Sequence, residues 1–90
     1  MPIFVAIRHL PGLSADALKG AGARIKSCAA GMQTEGTDVR WLRSFFLAES
    51  DQTHCYFEAP TREAVADLNE RAGMPYQRLL EVAQMTPDTV

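Results

Sequence analysis

"VRWLRSFFLAESDQTHCYFEAP", residues 39–60, is the stretch that decides the fold. Residues 39–47 are aromatic and β-branched enough for a strand. Glu49-Ser50-Asp51 turns the chain, and residues 52–58 run back as a second strand, so the pair reads as an antiparallel hairpin. Pro60 closes it. Helical signals stand on both sides. Upstream, Ser14 is a good N-cap and Asp16 meets the positive helix end; Leu18, Ala21, Ile25, Cys28 and Met32 then form one apolar stripe. Gly20 and Gly22 weaken that helix, and Gly31 is the expected stop. Downstream, Thr61 caps a helix whose Val65, Leu68 and Ala72 share a face, and Gly73 with Pro75 ends it.

Two further strands complete the pattern. Ile3-Phe-Val-Ala-Ile7 is a continuous apolar run that suits a central strand buried on both faces, ended by Leu10-Pro11-Gly12. Residues 78–85 return as a last strand with Leu80 and Val82 on one face, and 86–90 are expected to be a loose tail. The order βαββαβ with right-handed crossovers predicts an α+β, ferredoxin-like antiparallel sheet with two helices on one face. Residues 1–90 are expected to form one such domain.

Composition narrows the function classes. A net charge of −2 with interspersed signs lacks the clustered basic face of a nucleic-acid or membrane-surface binder, so neither partner is expected. No apolar run is long enough to span a bilayer, and no start resembles a signal peptide, which points to the cytoplasm. Cys28 and Cys55 fit no disulfide framework and are expected to be reduced.

Four segments carry a resemblance: "FVAIRHLPG" (4–12), "VRWLRSFF" (39–46), "HCYFEAP" (54–60) and "ERAGMPYQRLLEV" (70–82). Together they resemble the DUF4242 family, small ferredoxin-like proteins one member of which is described as nickel-binding. The matching residues are Arg8, Leu10, Pro11 and Gly12; Trp41, Arg43 and Ser44; Cys55, Glu58, Ala59 and Pro60; and Gly73 with Pro75. The resemblance implies a dimer of the α/β-barrel type and a divalent metal such as nickel as a possible ligand. Ile7 stands where members of that family often carry an acidic residue, so no nickel ligand is carried over.

Alternation along 53–58 puts Cys55 and Phe57 on one face and His54, Tyr56 and Glu58 on the other. Cys55 and Phe57 suit the helix-covered side. Arg8, with Phe4 and Ala6, is expected to share the open face near Glu58, together with Leu42, Ser44 and Phe46. Arg8, Ser44, His54, Tyr56 and Glu58 are therefore the ligand-pocket candidates, and His54 with Glu58 the candidate metal ligands. The bland readings are an Arg8–Glu58 structural ion pair, a surface His54 and a core Cys55 with no cation on its face. His9 falls on the side opposite Arg8, so a two-histidine site within one protomer is not expected. Three functions follow from this surface. One is a homodimer that binds a small ligand or metal ion. The others are a cofactor-free dimeric enzyme, such as an oxygenase or isomerase of a small organic substrate, and a purely structural interaction module. No catalytic motif selects among them.

Overall fold

The computed structural model describes all of residues 1–90. Strand β1 (Ile3–His9) leads into helix α1 (Ala15–Thr34), the hairpin β2 (Arg40–Leu47) and β3 (Gln52–Glu58), helix α2 (Arg62–Arg71) and strand β4 (Arg78–Val82). The strands form one antiparallel sheet in the order β2-β3-β1-β4, the ferredoxin-like arrangement expected from the element order. No helix is long and apolar enough to cross a membrane.

The helices start where their caps dictate. The Ala17 N–H donates to Ser14 Oγ at 3.1 Å, and the Ala64 N–H donates to Thr61 Oγ1 at 3.2 Å. Helix α1 does not stop at Gly31. It continues through Thr34, because Gly31 has ordinary helical geometry and the left-handed exit comes at Gly36, with φ 95°. Strand β4 ends at Val82, short of the expected 85, and Pro87–Thr89 form a single 3-10 turn.

Phe4, Ala6, Ile25, Met32, Val39, Phe57, Val65 and Leu68 make the centre of the core, between one sheet face and the two helices. Cys28, expected in that core, is only half-buried at its edge. Arg24 ties the α2 exit to α1: its guanidinium donates to the Ala72 carbonyl at 3.1 Å and lies 3.4 Å from Met74 Sδ. At the far end, Arg71 bridges Glu35 and Asp67 at the surface. Its hydrogen bond and positive charge hold the Glu35 carboxyl below the ordinary value of 4.5.

Candidate functional site

The register assigns every strand residue to a face, since directly opposed residues project the same way. On the helix side, Arg8 lies opposite Thr53, Ala6 opposite Cys55, and Phe4 opposite Phe57. On the open side, Ile3 lies opposite Glu58, Val5 opposite Tyr56, and Ile7 opposite His54. Arg8 and Glu58 therefore sit on opposite faces and cannot pair. The expectation failed because the run 3–7 is apolar on both sides, and its hydrophobicity carries no phase. Ser44 is displaced for a second reason. A bulge between Trp41 and Arg43 shifts the alternation of β2, so that Ser44 meets Cys55 and Phe46 meets Thr53 on the helix side.

Arg8 is 1% exposed, the largest fully buried side chain in the protein. It forms no salt bridge with any carboxylate. Its guanidinium donates to Cys55 Sγ at 2.8 Å and to Asn69 Oδ1. Asn69, itself fully buried on α2, is held in turn by its Nδ2 donating to the Val65 carbonyl at 2.8 Å. The cation thought absent from the face of Cys55 is Arg8. Two buried polar atoms in this neighbourhood have no partner, Arg8 Nε and Thr53 Oγ1.

Thr53 and Cys55 line a cavity of about 220 Å³ between α1 and β2. Its remaining wall is mostly apolar, with Leu18, Ile25, Trp41, Phe46 and Met74. Ser44 also lines it and accepts the Trp41 indole N–H at 2.9 Å. The cavity has room beside Trp41 because Gly22 lacks a side chain: a Cβ there would lie 3.1 Å from Trp41 Cη2.

The open face is a different surface. Across the sheet its rows read Arg40–Glu58–Ile3–Val82, then Arg43–Tyr56–Val5–Leu80, then Phe45–His54–Ile7–Arg78. Leu47, Gln52 and His9 form the last row. Phe45 and Tyr56 meet edge to face, with centroids 6.2 Å apart. Phe45 is 57% and Leu47 37% exposed, whereas Val5 in the middle row is buried, so this apolar surface lacks cover along its β2 edge. His54 and Glu58 are four residues apart on one strand, roughly 13 Å at strand rise, which is too far to share an ion. His9, however, lies opposite Gln52 while His54 lies opposite Ile7, so the two histidines are diagonal neighbours on one face. That overturns the expectation that no protomer brings two histidines together. The chain contains no cluster of three or more potential metal ligands.

These features define a small α+β ferredoxin-like domain with a polar-floored cavity on the helix side and an uncovered, half-apolar sheet face. The chain belongs to the SCO4226-like nickel-responsive family: the family described as "Nickel responsive protein SCO4226-like" matches residues 4–82. Among solved structures, the crystal structure of SCO4226 from Streptomyces coelicolor A3(2) superposes with a TM-score of 0.80 at 22% identity. The match covers 93% of this chain and 99% of that one, and at this identity it speaks for the fold. No curated protein matches the sequence.

Proposed function

We propose that the chain is a small homodimeric binding protein that holds a divalent metal ion, nickel foremost, on the open sheet face. The observation that carries this reading is the diagonal placement of His9 and His54. Diagonal neighbours of an antiparallel pair are about 7–8 Å apart at most, within reach of one ion for two imidazoles. Imidazole is a good ligand for nickel. One chain alone does not fit a complete site, because it offers these two donors and no third close by. A second copy turned about a two-fold axis supplies the same pair again. The same pairing covers Phe45 and Leu47, which a lone chain leaves in water, and the half-buried Ile7. Tyr56 and Glu58 then line the interface beyond the ion. The family's nickel responsiveness supports the choice of metal. Two unpaired thiols agree with a cytoplasmic setting.

The test is calorimetric titration of chelator-free protein with nickel. Wild type is expected to bind one ion per two chains. His9→Ala and His54→Ala should each weaken binding by more than the roughly 10–100-fold that outer-shell partners cost. Glu58→Ala, four residues along the strand from His54, should weaken binding far less than either histidine variant. Wild-type affinity in both histidine variants would refute the site.

A further inference from the structure

The buried arginine raises a separate question. A guanidinium removed from water is costly unless a negative charge or a full set of acceptors meets it. Arg8 has neither: its two acceptors are a thiol and an amide oxygen, and its Nε–H has no partner. The nearest cross-strand neighbour, Thr53, also keeps an unpartnered hydroxyl although it is 95% buried, being 5% exposed. Orphaned buried donors are rare in a folded protein and mark places where a partner is missing. Here they are not scattered. Thr53 and Cys55 form the polar floor of the 220 Å³ cavity, and Arg8, on the neighbouring strand, is opposite Thr53 and bonded to Cys55.

We propose that this cavity binds a small molecule with an apolar body and a single anionic head, a monocarboxylate. The head accepts a hydrogen bond from the Thr53 hydroxyl, and its charge is balanced by the Arg8 guanidinium. The body lies among Leu18, Ile25, Trp41, Phe46 and Met74. The cavity is smaller than the ~300–1,000 Å³ common for drug-sized ligands, which restricts the body to a single ring or a short chain. Its floor carries no carboxylate, so a cationic head is disfavoured and a neutral one leaves Arg8 unbalanced. The site is on the helix side of the sheet, opposite the histidine face, and is independent of metal binding.

Benzoate, with benzamide as its neutral counterpart, tests this directly. Both are titrated into the ¹⁵N-labelled protein, and amide shifts are followed by NMR. The expected result is saturable shifts at Thr53, Cys55 and the Trp41 indole with benzoate, and at least about tenfold weaker binding of benzamide, since hydrogen bonds to a charged group are the strong ones. Thr53→Val keeps the shape of the side chain and removes its hydroxyl; it should fold, as its spectrum will show, and weaken benzoate by about tenfold. Arg8→Met should abolish the preference for benzoate over benzamide. Equal binding of the two, shifts that cluster elsewhere, or no saturable binding of either by the wild type would overturn the proposal. Chelator and nickel should leave the benzoate response unchanged; a response that needs nickel would move the ligand to the histidine face and also overturn it.

Discussion

Arg8 and Asn69 should be energetically coupled, and Arg8 and Glu58 should not. Asn69→Leu removes the acceptor of a charged donor at a fully buried position, a loss of about 1.5–3 kcal/mol. Arg8→Met strands Asn69 Oδ1, at about 1–3 kcal/mol, but also removes a desolvated charge. Removing that charge relieves its desolvation penalty, so the two effects oppose each other and the net change should be small. In the double variant neither side of the Arg8–Asn69 bond is left stranded, and its cost should fall short of the sum of the single costs by about 1–3 kcal/mol. The cycle is read by urea unfolding at fixed protein concentration, with unchanged m-values as the check that the same transition is compared. The control cycle, Arg8→Met with Glu58→Gln, should be additive within about 0.3–0.5 kcal/mol because the side chains lie on opposite faces. Additivity for Arg8 and Asn69, or coupling for Arg8 and Glu58, would refute the assignment of Arg8 to the helix side.

Three further outcomes follow from the same contacts. Gly20→Ala and Gly31→Ala, where an added Cβ meets nothing within 4 Å, should each stabilise α1 by about 0.5–1 kcal/mol in urea unfolding. Gly22→Ala should gain less than either and shift the Trp41 fluorescence, since its Cβ would crowd the indole at 3.1 Å. Glu35 has its pKa lowered by the Arg71 hydrogen bond first and by Arg71's charge second, so the stabilisation from this pair is fully present above 4.5 and is lost as pH falls through the depressed value. The difference in urea midpoint between wild type and Glu35→Gln should therefore shrink in acid; a difference that grows there would contradict the sign.

The order of elements was legible because each carries its own local signal. Ser14 and Thr61 cap helices whose apolar stripes face the sheet, and the turn at 49–51 separates two strands without help from distant residues. The faces of the strands were less legible. Alternation in β3 is written in its polar residues, and Cys55 and Phe57 do lie under the helices. In β1 both sides are apolar, so only pairing with a strand more than forty residues away decides that Arg8 points inward. An arginine near the end of a strand reads as belonging to the open face, beside Glu58, until Asn69 of α2 is brought over it. The bulge in β2 likewise leaves no mark in composition, yet it moves Ser44 from the open face to the cavity. The candidate pocket of Arg8, Ser44, His54, Tyr56 and Glu58 is thus divided between two surfaces, and the pair His9–His54 was hidden by the same phase error.

Native mass spectrometry of chelator-free protein, with and without added nickel, tests the central claim most directly because it reports subunit number and bound ion together. The account predicts a species of two chains carrying nickel, with the metal lost from His9→Ala and from His54→Ala. Nickel carried by a single chain, or retained on both variants as on the wild type, would contradict a metal site built from the histidine pairs of two open sheet faces.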